Sequence, residues 1–127
     1  VATIVVKDGR ILFGRARLSD PWKLPGGTLP AFEEPEEFCR KRVLEETGLT
    51  VAGCGFLAYV NRIVPDKKQH DVTLVFVGRY VKGNLKSRPS QYQWGWFDPS
   101  LLPHPLFDSQ RLFDRHATRR IKRIAAQ

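Results

Sequence analysis

The stretch from Pro25 to Leu49 leaves this chain little conformational freedom. A diglycine, Gly26-Gly27, leads into a helix that Pro35 opens, carboxylates crowd and Gly48 stops. Proline's fixed φ and missing N–H cost nothing at the first helical position. Glu33, Glu34, Glu36 and Glu37 set negative charge at the positive end of the helix dipole, and Gly48 serves as a left-handed cap. At about 100° per residue, positions 42, 45 and 46 fall within an arc of about 100°. Cys39 and Val43 lie on a neighbouring arc that packs on a sheet, while Glu45 and Glu46 line its edge. Two consecutive glycines make a turn or let the backbone approach a ligand closely. Such a loop beside paired carboxylates is a layout for holding a cation against a phosphate.

The rest of the chain supplies strands for that helix to cover. Val1–Val6 and Ile11–Arg17 flank Asp8-Gly9, which predicts a hairpin with a type I′ turn. A period of two puts Arg15 and Arg17 on one face, either a solvated edge or a phosphate contact. Val51–Val64 reads as a strand bent near Gly53 and Gly55. His70–Val81 is the most β-prone run and is expected as a central strand paired with it. Tyr92–Phe97 gives a further short strand. Asp108–Ala126 has helical periodicity and a basic face, which reads as solvated or as a nucleic-acid contact. The order of elements fits an α+β or α/β chain with a mixed sheet and helices on its two faces.

The length of 127 residues is that of a single domain, 1–127, with room for one core. Apolar residues make up 42% and charged residues 27%, which excludes a disordered chain. No apolar run approaches the ~20 residues of a membrane helix, so no membrane partner is expected. The net charge of +8, from 21 basic and 13 acidic side chains, points to polyanionic partners, either phosphorylated small molecules or nucleic acid. Cys39 and Cys54 lack metal-ligand spacing and read as reduced, packed thiols, which implies a non-secreted, cytoplasmic setting. The chain opens directly in a strand-like run, so a targeting segment further upstream is left open. The oligomeric state is left open too, a homodimer included.

The central stretch resembles the Nudix box, in which Gly, five residues, Glu and seven residues precede Arg-Glu-apolar-any-Glu-Glu-any-Gly-apolar. Gly27, Glu33 and Lys41-Arg42-Val43-Leu44-Glu45-Glu46-Thr47-Gly48-Leu49 fill that frame without a gap. Trp22-Lys23-Leu24-Pro25-Gly26-Gly27 is similar to the usual lead-in, and Trp94-Gly95-Trp96-Phe97 with Leu102-Pro103 to the closing strand and turn. The resemblance implies an α/β/α sandwich with a mixed sheet and, in active members, hydrolysis of a nucleoside diphosphate linked to another moiety. It implies Mg²⁺ or Mn²⁺ held by Glu45, Glu46 and the Gly27 carbonyl, with Glu33 holding the side chain at position 41. A hard ion that keeps several waters and takes few carboxylates suits such a half-open cluster.

The frame has two departures. Lys41 replaces an Arg and loses the planar fork, so its pairing with Glu33 is expected to be weaker. Arg42 replaces a Glu that is one of the usual metal ligands, and at three and four residues' distance it can bridge to Glu45 or Glu46. The acidic residue that active members often add before the closing strand has no counterpart in Gln91 or Gln93. Asp66, His70, Asp71 and Asp98 are the remaining base candidates. Arg15, Arg17 and Trp22 are candidate substrate contacts, and Phe32, Tyr59 and Trp94 further aromatic ones, although such side chains are more often core. Two readings follow. The first is a metal-dependent hydrolase acting on a nucleotide or nucleotide sugar, with Glu45, Glu46, Glu33 and Lys41 as its machinery. The second is a Nudix-like domain without catalysis that binds nucleotide or RNA through its basic surface.

Overall fold

The computed structural model describes residues 1–86, 92–103 and 115–126. β1 (Ala2–Lys7) and β2 (Arg10–Arg15) form the expected hairpin, with Lys7 opposite Arg10. Asp8 at φ 50° and Gly9 at φ 76° supply the two positive angles of its turn. After α1 (Pro35–Thr47) come β3 (Thr50–Val64) and β4 (Gln69–Lys82), joined by a 3-10 turn at Pro65–Lys67. β5 (Gln93–Phe97) and α2 (Arg115–Ala125) follow. The sheet order is β3-β4-β1-β2-β5. β1 runs parallel to β4 and the other neighbours are antiparallel, which makes the sheet mixed.

Strand alternation divides the core between the two helices. Ile4, Ile11, Phe13, Val75 and Val77 pack on one face with Ile121 of α2. Their neighbours Val5, Leu12 and Phe76 point the other way, to Cys39 and Val43 of α1. The period of two in the strands thus meets the arc of α1 inferred from the sequence. β3 carries register shifts between Ala52 and Gly55, where Gly53 takes φ 86°, so the bend lies where the glycines predict it.

The end of β2 differs from the sequence reading. β2 ends at Arg15, paired with Gln93, and Arg17 lies in a turn closed by the Asp20 N–H donating to its carbonyl at 3.0 Å. Strand alternation therefore does not reach Arg17, and the face shared with Arg15 is lost. The expected start of the last helix at Asp108 falls outside the described residues, as does Gln91.

The ends of α1 explain its exact placement in the site. Glu34 caps the first turn by accepting from the Glu37 N–H at 3.0 Å, and Gly48 closes the last at φ 84°. α1 carries no basic residue in its last turn, but Lys86 donates through Nζ to the Glu45 carbonyl at 2.6 Å and through N–H to the Thr47 carbonyl at 2.9 Å. A cation thus sits on the negative end of the helix dipole. Thr47 is fully buried; its hydroxyl donates to the Val43 carbonyl at 2.6 Å and accepts from the Leu49 N–H at 3.0 Å. Thr47→Val keeps the shape and strands that buried N–H, so denaturant unfolding should show a loss of about 1–3 kcal/mol.

Candidate active site

The diglycine is fastened to the sheet before it meets the helix. Gly14 of β2 and Lys23 exchange two backbone hydrogen bonds of 2.9 Å each. Thr3 N–H donates to the Pro25 carbonyl at 2.9 Å, and Gly27 N–H to the Val1 carbonyl at 3.0 Å. Gly26 bridges to Ala2, and a Cβ on it would lie 2.2 Å from the Val1 carbonyl oxygen. Only a residue without a side chain passes so close to β1.

This seam brings the loop against Glu46. The Gly26 N–H donates to Glu46 Oε1 at 3.2 Å. Arg42 Nε donates to the Gly26 carbonyl at 3.0 Å and stands 2.9 Å from Glu46 Oε1. One guanidinium NH terminus is 3.8 Å from Glu45 Oε2. A backbone carbonyl and a carboxylate oxygen therefore converge on one point, and the positive charge of Arg42 is at that point. A Cβ on Gly27 would lie 3.1 Å from Arg42 Nε, so the second glycine leaves room for the guanidinium. The Glu46 side chain is 16% exposed, against 54% for Glu45 and 38% for Arg42.

The carbonyl facing the carboxylates is that of Gly26. The Gly27 carbonyl, the expected ligand, accepts instead from the Val1 nitrogen at 2.8 Å. The backbone alternates along β1, so one of two adjacent carbonyls joins the seam and the other faces the helix. Lys41 Nζ stands 3.7 Å from Glu33 Oε1, both side chains well exposed, a loose pairing in line with the loss of the arginine fork.

The candidate substrate contacts have other partners. Arg15 donates to the Gln93 side chain at 2.9 Å and the Leu18 carbonyl at 3.1 Å, and its guanidinium lies 4.3 Å above the Trp22 ring. Trp22 meets Phe97 edge to face at 5.1 Å. Phe32 is fully exposed at φ 67°, Tyr59 is exposed, and Trp94 leans on Tyr92 at 4.7 Å. Among the base candidates, His70 donates to the Asn61 side chain, while Asp98 accepts from the Ser100 hydroxyl and N–H. Those bonds, the hydroxyl's first, hold the exposed Asp98 carboxyl below its ordinary value. A cavity of about 670 Å³ is lined by Gly26, Gly27, Thr28, Arg62, His70 and Asp71, so it opens directly beside the diglycine.

Tyr92 is a neighbour of the site that spacing did not single out. Burial and, after it, the negative charge of Glu46 push its phenol up to about 12, against the opposing charge of Arg42. Its ring also crowds Gly14, whose Cβ would fall 2.6 Å from it. A glycine inside a strand signals such a close approach, and Gly14 was the available clue. The unfolded phenol titrates near 10.0, so above that pH the unfolded state sheds its proton first and binds fewer protons than the folded state. Stability is thus lost as pH rises from 10.0 toward 12, and Tyr92→Phe should remove this part of the loss in unfolding measured across that window.

In kind, the oxygens fit a hard divalent ion, which takes one or two carboxylates and leaves its other positions to water and substrate phosphate. Glu45, Glu46 and the Gly26 carbonyl are such donors. Among the described residues there is no cluster of three or more His, Cys, Asp or Glu suited to a metal. The point where the oxygens meet is taken by Arg42, so the fit requires that side chain to move.

The profile of the NUDIX domain family matches residues 1–120. An ADP-ribose pyrophosphatase from Methanocaldococcus jannaschii is 30% identical over 113 residues, which cover 86% of this chain and 66% of that protein. An 8-oxo-dGTP diphosphatase from Buchnera aphidicola is 32% identical over 68 residues, 54% of this chain and 50% of that protein. The chain thus spans less than two thirds of the length of either relative. The crystal structure of a MutT NUDIX hydrolase from Burkholderia pseudomallei superposes with a TM-score of 0.74 at 28% identity, covering 88% of this chain and 91% of that one.

Proposed function

The chain belongs to the NUDIX domain family, and on that premise we propose that it hydrolyses a nucleoside diphosphate linked to another moiety, a nucleotide or nucleotide sugar, with Mg²⁺ or Mn²⁺. The observation that carries this reading is the convergence of the Gly26 carbonyl and the Glu46 carboxylate, with Glu45 beside them, next to an open cavity. A divalent ion in such a site neutralises pyrophosphate charge and makes bound water more acidic. Glu46 and Glu45 would hold it, with the Gly26 carbonyl. Lys41 and Glu33 would steady the approach to the helix, and the cavity would take the organic part of the substrate. The relatives' names give the first compounds to try, ADP-ribose and 8-oxo-dGTP.

The reading takes 1–127 as one Nudix-like domain whose two apolar clusters share one sheet. No helix among the described residues is long and apolar enough to cross a membrane. Cys39 and Cys54 are buried free thiols, the form that a reducing cytoplasm keeps. Nucleic acid and a homodimer are not part of the reading.

The test is turnover with Mg²⁺ or Mn²⁺ across nucleoside triphosphates, dinucleoside polyphosphates, ADP-ribose and sugar nucleotides, with Glu46→Gln as control. Hydrolysis above the Glu46→Gln background supports the reading. Its absence on every compound removes it and leaves a domain that binds without catalysis.

A further inference from the structure

The cation that occupies the oxygen cradle belongs to the chain itself, and this has a consequence for how the site works. Arg42 reaches Glu46 from one helical turn away on the same helix, 2.9 Å from Oε1, and donates the same Nε to the Gly26 carbonyl. Gly27 has no side chain to keep the guanidinium out. A guanidinium is weakly hydrated and tethered beside its partners, whereas Mg²⁺ sheds its water reluctantly. With two carboxylates to attract it, a divalent ion is at a disadvantage against Arg42.

The guanidinium does not spend all its donors on the cradle. Its NH group nearest Glu45 remains 3.8 Å away, beyond hydrogen-bonding distance, and the side chain is 38% exposed. A planar, partly exposed fork matches two phosphate oxygens. A diphosphate carries more negative charge than one carboxylate, so it can draw the guanidinium off Glu46. Glu45 and Glu46 would then face an anion of like sign without a counterion, and their affinity for a divalent ion would rise.

We propose that Arg42 is the resident cation of this cradle: it closes Glu46 and the Gly26 carbonyl to divalent ions in the free protein, and a bound diphosphate opens them by taking the guanidinium onto its own oxygens. The identity of the anion rests on the hydrolase reading; the closure does not. Linkage requires the converse as well, that the ion raises the affinity for diphosphate.

Arg42→Met separates the two roles because it removes the cation and leaves only a soft thioether, which is no ligand for a hard divalent ion. Mn²⁺ binding, followed by the electron paramagnetic resonance of the free ion with no diphosphate present, should be about tenfold tighter in Arg42→Met than in wild type. Methylenediphosphonate binding, followed by calorimetry with a chelator in place of metal, should be about tenfold weaker in the variant. A merely structural arginine would not move the two affinities in opposite directions. Equal Mn²⁺ affinities overturn the closure, and equal diphosphonate affinities, whether both proteins bind or neither does, overturn the opening. Wild type alone provides a test that needs no folded variant: micromolar Mn²⁺ binding without diphosphate overturns the closure. None of these readouts is hydrolysis, so their failure is distinct from a failure of the turnover screen.

Discussion

Glu46→Gln is expected to lower kcat by about a hundredfold or more, as loss of an ion's charge stabilisation amounts to several kcal/mol. The substitution preserves shape and keeps one oxygen for the Gly26 N–H, which lies 3.2 Å from Oε1. It removes the charge that both Arg42 and a divalent ion require. Glu46 is the more enclosed of the two glutamates, at 16% against 54%, so less water is available to replace it. Glu45→Gln should therefore cost less than Glu46→Gln. Unfolding curves should shift little, because Arg42, 38% exposed, can turn its charge to solvent when Glu46 loses its own. Steady-state kinetics with the substrate found in the screen, beside a denaturation curve, checks both halves. An unimpaired kcat would place the chemistry elsewhere on the protein.

Gly26→Ala is expected to damage fold and site together. Its Cβ would be placed 2.2 Å from the Val1 carbonyl oxygen, a backbone atom that cannot rotate away. Relief requires the loop to leave β1, which breaks the pairing of Gly26 with Ala2 and of Gly27 with Val1. The cost should be about 3 kcal/mol, at the upper end for forced overpacking. The same shift carries the Gly26 carbonyl and N–H away from Arg42 and Glu46, so turnover falls even where the protein remains folded. Gly27→Ala is the contrast. Its Cβ would meet Arg42 Nε at 3.1 Å, the movable part of a flexible side chain, and a displacement of tenths of an ångström relieves it. Thermal unfolding of both variants should show a large loss for the first and a small one for the second. Equal losses would mean that the seam with β1 does not position the loop.

Much of the fold was legible because short-range rules govern it. The Asp8-Gly9 hairpin, the helix from Pro35 to Thr47 and its Gly48 cap each follow from one or two residues whose backbone preferences leave few alternatives. The mixed sheet followed from the order of elements. The end of β2 was not legible, because Ala16 and Arg17 could continue a strand and only the Lys23 and Gln93 pairings show where it stops. In the site, the nearness of Arg42, Glu45 and Glu46 was readable from helical spacing. Tyr92 was not, since its distance from Glu46 in sequence says nothing of the crowding against Gly14 that brings it there.

The sequence by itself determined the frame: a glycine loop, a helix of set length and the positions of its charges, all consequences of local backbone chemistry and a fixed helical period. Only the tertiary structure decided which glycine carbonyl faces the carboxylates, because that depends on which one β1 takes into its hydrogen-bonding seam. It also decided what Arg42 does. Spacing allowed a bridge to either glutamate, and the Gly26 carbonyl, brought in by a strand more than twenty residues earlier in the chain, fixed the guanidinium against Glu46.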